Sequence, residues 1–180
     1  MANDPDVMLH KRGLLLSDDQ LLAECQLQAT RRGGPGGQHR NKTASAVVIV
    51  HVPTGVCGQA SERRDQQQNR RVALDRLRIN MALAIRERAV DDQGKLVEPL
   101  PVWTRYINQR RIAIGLENDH LPPLLGQVLD WLAEAEWQID TVATHLGVSS
   151  SQIVKFLKRV PAAFQTVNRQ RQAQGLHTLK

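Results

Sequence analysis

Hydrophobic and polar positions along this chain alternate first, then bunch together, then fall into helical stripes. From Gln26 through Leu27, Gln28 and Ala29 to Thr30 polar and apolar residues take turns, which predicts a strand. Ahead of it, Ser17 followed by Asp18, Asp19 and Gln20 carries a hydroxyl cap, acids in the first turn and an amide at the third position, predicting a short helix to about Glu24. Ala46 to Val52 is rich in β-branched residues, turns at Pro53-Thr54-Gly55 and continues through Val56 to Gln59, a hairpin pattern. After Ser61 the period changes: Leu74, Leu77, Met81, Ala84 and Ile85 fall on one stripe, so a long amphipathic helix is expected to pack on the hairpin sheet.

Asp91-Asp92-Gln93-Gly94 closes this first unit, and Pro99-Leu100-Pro101 reads as a linker. Beyond it the pattern predicts helix from Val102 to Ile114 and again from Pro122-Pro123 to about Glu136. Residues 139–159 resemble a helix-turn-helix: Ala143 and Gly147 are small where helices approach and turn, Val142, Leu146, Val148, Ile153 and Phe156 are apolar, and Ser149 can cap the second helix. The expected class is therefore α+β. A small mixed unit, residues 1–94, holds a β-hairpin sheet under a long helix, and an all-α unit, residues 102–180, follows it.

Composition sharpens the picture through charge. The formal balance is +6, and between Gln28 and Val90 twelve Arg or Lys face four Asp or Glu. Such concentration suggests a polyanionic partner, most simply RNA. With only 3% aromatic residues, base stacking on exposed rings is disfavoured and contact with structured phosphate backbone is favoured. Cys25 and Cys57 lack metal-ligand spacing, so buried thiols in a reducing compartment are expected, with a disulfide as the alternative. No metal cluster or paired carboxylates appear, and neither a cofactor nor a metal is expected. The acidic start Asn3-Asp4-Pro5-Asp6 is unlike a targeting peptide and Leu14-Leu15-Leu16 is too short to span a bilayer, so a cytoplasmic protein is expected.

Between the strands lies Gly33-Gly34-Pro35-Gly36-Gly37-Gln38, followed at once by His39-Arg40-Asn41-Lys42-Thr43. The glycines give up packing so that backbone can approach a partner closely, and the loop presents Gln38. A Walker loop would need Gly before Lys42, where Asn41 stands, and a dinucleotide loop would need a third glycine at His39. Together with Ser45-Ala46-Val47, Pro53-Thr54-Gly55-Val56, Glu62-Arg63 and Gln68-Asn69-Arg70, the segment resembles the catalytic domain of the class I peptide chain release factors, across roughly residues 14 to 90.

The resemblance implies hydrolysis of the peptidyl-tRNA ester on the ribosome, with Gly36, Gly37 and Gln38 as the catalytic residues. It implies that the Gln38 backbone amide donates to the transition state and that its side chain positions water. It implies no base at His39, which is left to RNA contact or loop support. Arg31, Arg32, Arg40 and Lys42 are candidates for rRNA phosphate contact, solubility charge being the alternative. Arg40, Gly33 and Gly34 depart from the residue types usual around this motif. Arg64, Arg71 and Arg78, seven apart, would line one shoulder of the long helix, either as phosphate contacts or as a solvated face. Lys155, Lys158 and Arg159 on the second helix of the helix-turn-helix are expected to meet RNA or a ribosomal surface.

Only about thirty residues precede the loop, too few for a codon-reading domain like that of complete termination factors. The chain is therefore expected to resemble the short, codon-independent relatives that rescue stalled ribosomes, although the helical segment from Val102 to Phe164 stands in place of their Lys/Arg-rich tail. The expected partners are the rRNA of the large subunit and peptidyl-tRNA, with a methyltransferase modifying Gln38 as a further one, and the protein is expected to act as a monomer away from membranes. The alternative is an RNA- or DNA-binding adaptor directed by the helix-turn-helix, its loop inactive.

Overall fold

A computed structural model describes residues 13–30 and 45–180 of the chain. Helix α1 (Asp18–Ala23) starts at a complete capping box, with the Ser17 hydroxyl accepting from the Gln20 N–H at 3.3 Å and the Gln20 side chain accepting from the Ser17 N–H at 3.0 Å. Strands β1 (Cys25–Thr30), β2 (Ala46–His51) and β3 (Cys57–Ala60) form an antiparallel sheet in the order β1-β2-β3. Gly55, at φ +70°, closes the β2–β3 turn as the Pro-Thr-Gly pattern requires. Buried His51 ties that turn to α1, with Nε2 2.9 Å from Glu24 Oε2 and Nδ1 2.7 Å from Thr54 Oγ1.

Helix α2 (Gln66–Ala84) begins at Asp65, whose carboxylate accepts from the Gln68 N–H at 2.8 Å, and lies across the sheet. Its buried stripe is Asn69, Ala73, Leu74, Leu77, Arg78, Met81 and Ala82, facing Val47, Ile49 and Ala60. Gly58 sets the closeness of this packing: a Cβ there would sit 2.1 Å from the Ala73 carbonyl oxygen and 2.5 Å from the Leu77 nitrogen. Arg76 and Asn80 donate to the carbonyls of Gln59 and Cys57 at 2.7 and 2.8 Å, satisfying the edge of β3. Two details differ from expectation. Ala84 is exposed because the stripe turns toward Ala82, and Leu27 is 44% exposed because β1 lies at the sheet margin.

The expected helix from Val102 to Ile114 is instead a 3-10 turn at Pro101–Arg105 followed by a hairpin of β4 (Ile107–Asn108) and β5 (Arg111–Ile112). Its tip is Gln109 and Arg110, both left-handed at φ 46° and 62° without a glycine to announce the turn. Helix α3 (Leu121–Glu134) carries Pro122 and Pro123 in its first turn, where missing N–H groups cost nothing. Every residue from Leu121 to Leu132 is buried, so α3 is a central helix. Helices α4 (Ile139–His145) and α5 (Ser150–Lys158) form the expected helix-turn-helix around Gly147 at φ +71°, with Val142, Leu146, Val148, Ile153 and Phe156 all buried. Ser149 occupies the cap position, yet its hydroxyl pairs with that of Ser151 at 2.9 Å rather than with backbone. Helix α6 (Pro161–Ala173) extends well past Phe164, and Asn168 then pins Leu179 through bonds of 2.7 and 3.3 Å.

Pro99-Leu100-Pro101 is not a free linker. Leu100 is 2% exposed and its N–H donates to Gln127 Oε1 at 3.1 Å, an atom that also accepts from Trp103 Nε1 at 2.8 Å. Upstream, the Arg86 guanidinium and the Glu87 N–H reach Asp130 at 3.0 and 3.1 Å, and the Val97 carbonyl meets Trp131 Nε1 and His145 Nε2 at 3.0 and 2.9 Å. Residues 86–103 thus wrap α3 with polar anchors, and one buried cluster runs from Leu14 through Met81 and Leu125 to Val167. Cys25 and Cys57 are free thiols, as expected, but neither is fully buried: Cys57 is exposed, while burial and then the nearby Glu24 carboxylate push up the pKa of half-buried Cys25.

Candidate functional site

The glycine-rich segment, with Arg31, Arg32, Gly36, Gly37, Gln38, His39, Arg40 and Lys42, lies outside the described residues. The residues on either side of it belong to the sheet or adjoin it. The chain leaves the sheet at Thr30 and re-enters at Ala46, and these two residues are register partners, so departure and return share one end of the sheet.

That end is held by an amide. Asn69 is 0% exposed; its Nδ2 donates to the Ser45 carbonyl at 2.6 Å and the Arg63 carbonyl at 2.8 Å, and its Oδ1 accepts from the Arg63 N–H at 2.9 Å. Both donors and one acceptor site are used, which is what makes burial of an amide tolerable. Three short motifs, Ser45-Ala46-Val47, Glu62-Arg63 and Gln68-Asn69-Arg70, therefore converge on one side chain. Sequence reasoning did not single out Asn69 as a site residue. The signal was present, because Asn69, Ala73 and Leu77 step by four along the buried stripe and only an amide with partners belongs there.

Beside this clamp, Arg76 donates to Glu62 Oε1 and the Ser61 N–H donates to Glu62 Oε2 at 2.7 Å. The Arg76 hydrogen bond first, and the Ser61 N–H second, hold the Glu62 pKa down at about 2. Glu62 is thus a fixed anion at neutral pH and unsuited to general acid or base work. It borders a shallow cavity of about 360 Å³ with Val48 and Arg76. A groove of about 330 Å³ between Leu27, Val47 and Arg70 lies on the β1 side of α2.

The expected row of three arginines does not form. Arg64 precedes the cap residue Asp65, Arg71 is exposed on the helix, and Arg78 is 8% exposed. The Arg78 guanidinium donates to the carbonyls of Gly13, Leu14 and Leu16 at 3.0, 3.2 and 2.8 Å and to Asp18 at 3.0 Å. It straps the segment before α1 onto α2, so its assignment to phosphate contact is corrected. Arg63 and Arg70, each adjacent in sequence to an expected contact, are exposed and extend the basic surface at the start of α2. Lys155, Lys158 and Arg159 are exposed at the other end of the molecule's chain order, and Lys158 Nζ lies 5.3 Å from the Phe164 ring centroid. Among the described residues no group of three His, Cys, Asp or Glu is placed to hold a metal, and no helix is long and apolar enough to cross a membrane.

Comparison with known proteins agrees with the motif positions. The RF-1 domain family matches residues 21–111, just over half of the chain. A peptide chain release factor 2 of Paramagnetospirillum magneticum is 48% identical over 59 residues, covering 33% of this chain and 16% of the relative. Peptide chain release factor 1 of Dictyoglomus thermophilum is 31% identical over 146 residues, covering 71% of this chain and 39% of the relative. Its counterpart in Caldicellulosiruptor bescii is 33% identical over 129 residues, covering 68% and 36%. The chain therefore spans well under half the length of these curated relatives.

Proposed function

The chain belongs to the class I peptide chain release factor family, and from that premise we propose that it hydrolyses the peptidyl-tRNA ester on the ribosome without reading a codon, releasing nascent chains from stalled ribosomes. The observation that carries this reading is the convergence of the family motifs on Asn69, which holds the strand that receives the Gly36-Gly37-Gln38 segment.

In the proposed reaction water attacks the ester carbonyl, a C–O bond forms to give a tetrahedral oxyanion, and the bond to the ribose oxygen then breaks, freeing the peptide acid and the tRNA hydroxyl. Gly36 and Gly37 allow a backbone path that any Cβ would obstruct, the Gln38 N–H donates to the oxyanion, and the Gln38 side chain selects and orients water. Basic groups at Arg31, Arg32, Arg40, Lys42, Arg64 and Arg71 meet rRNA phosphates of the large subunit, and His39 supports the loop or RNA contact. The reading includes action as a monomer in the cytoplasm and a methyltransferase that acts on Gln38. It assigns chemistry to residues 1–94 and targeting to residues 102–180.

A second reading, a nucleic-acid-binding adaptor with an inactive loop, draws support from the helix-turn-helix at Ile139–Lys158. Peptide release from ribosomes carrying peptidyl-tRNA separates the two. Release with an empty A site, exceeding that with a stop codon in place, is the expected result; ribosome or nucleic-acid binding without release under any condition supports the adaptor.

A further inference from the structure

The β4–β5 hairpin is docked on the helix-turn-helix. The Ile112 N–H donates to Gln152 Oε1 at 3.1 Å, joining β5 to α5 across 40 residues of chain. On α5, Lys155 and Arg159 follow Gln152 by three and seven positions, so they share the face that meets the hairpin, and both are exposed. The hairpin adds Arg110 and Arg111, also exposed. None of these four cations has a carboxylate partner among the described residues. The surrounding sequence is one-signed: between Pro99 and Leu116 stand three arginines, and between Thr141 and Lys180 six Lys or Arg, with no Asp or Glu in either stretch.

We infer that α5 and the β4–β5 hairpin form one surface that grips the phosphate backbone of double-stranded RNA. The positive charge requires a polyanion. Single strands are a poor fit, since Trp103, Trp131, Trp137 and Phe156 are buried and the half-buried rings of Tyr106 and Phe164 are already engaged, by His120 and by Lys158. Base reading by α5 in a DNA major groove is also a poor fit: Gln152, the residue type that reads adenine, is spent on the hairpin, and Lys158 lies over Phe164. What remains on the helix is suited to phosphates. At the hairpin, exposed Asn108 and Gln109 place amides beside Arg110 and Arg111, and an amide both donates to and accepts from a ribose 2′-hydroxyl. The left-handed tip at Gln109 and Arg110 keeps side chains where glycine would sit with less strain.

The inference takes its class of ligand from the release-factor reading, yet the two fail separately. The test measures fluorescence anisotropy of a labelled RNA duplex of about 20 base pairs, longer than the ~16 spanned by common duplex-binding domains, against the full chain over a salt series. For Arg110→Ala/Arg111→Ala/Lys155→Ala the slope of log affinity against log salt is expected to fall by about two to three units, at roughly 0.9 per phosphate contact, with affinity down at least tenfold. Arg110→Gly guards against misfolding, because it removes the charge and relieves the positive φ; it is expected to weaken duplex binding without lowering the melting temperature. Unchanged affinity and slope in both variants would overturn this surface and leave the release reading untouched. A B-form DNA duplex of the same sequence competing as well as the RNA would overturn the choice of RNA. Loss of duplex binding in the variants, from a wild type that never releases peptide, would uphold this surface and overturn the catalytic reading.

Discussion

The Asn69 side chain bonds the Ser45 carbonyl at 2.6 Å, joining helix α2 to the residue on which the chain returns from the glycine-rich segment. The helix thereby fixes one foot of the segment that carries Gln38. Asn69→Ala would leave the Ser45 and Arg63 carbonyls and the Arg63 N–H without this partner. It is expected to cost about 1–3 kcal/mol of stability, read by denaturant unfolding, and to reduce peptide release by more than the lost stability accounts for.

Gly58→Ala places a methyl group where the Ala73 carbonyl oxygen would be 2.1 Å away. The atoms that methyl group meets are backbone of α2 and it has no rotamer by which to avoid them, so the helix must lift from the sheet, and a loss of roughly 1–3 kcal/mol is expected. Thermal melting of the variant within a degree of wild type would show that the sheet and α2 are less tightly joined than described.

Arg78→Met should act on the fold and not on RNA. Four acceptors around Gly13, Leu14, Leu16 and Asp18 lose their donor, and about 2 kcal/mol of stability goes with them. Arg64→Ala/Arg71→Ala is expected to do the reverse, flattening the salt dependence of ribosome binding with melting unchanged. An Arg78→Met protein with native melting and a flattened salt slope would restore Arg78 to the binding surface.

Glu62 supplies a pH prediction. Its folded pKa of about 2 lies below the ordinary value of 4.5, so its contribution to stability is fully present above that ordinary value and is lost as pH falls through the folded value. Carboxyl NMR of Glu62 should show a midpoint near 2 in the wild type, moving back toward the ordinary range in Arg76→Ala, whose guanidinium is the main cause. Identical midpoints in the two proteins would remove Arg76 as that cause.

Much of the first unit was legible because its signals are local. Ser17 and Gln20 are within one turn of each other, Gly55 sits in the turn it permits, and Leu74, Leu77 and Met81 repeat at helical spacing. The helix-turn-helix was legible for the same reason, its small and apolar positions lying within one short stretch. What escaped depends on distant partners or on unusual backbone. Arg78 is buried only because carbonyls more than 60 residues earlier meet it, and nothing in its own neighbourhood distinguishes it from Arg71. The β4–β5 hairpin escaped because Gln109 and Arg110 take positive φ without glycine, and so the stretch read as helix. Asn69 was legible as part of a motif, while its purpose depends on Ser45, 24 residues away.

The central claim is that this chain breaks the peptidyl-tRNA ester through Gly36, Gly37 and Gln38. Its most direct test is single-turnover peptide release from ribosomes carrying peptidyl-tRNA and an empty A site, comparing wild type with Gly36→Ala, Gly37→Ala and Gln38→Ala at saturating factor. Loss of release in both glycine variants with ribosome binding retained, and partial release by Gln38→Ala, is the predicted result. Release by both glycine variants at the wild-type rate would contradict it.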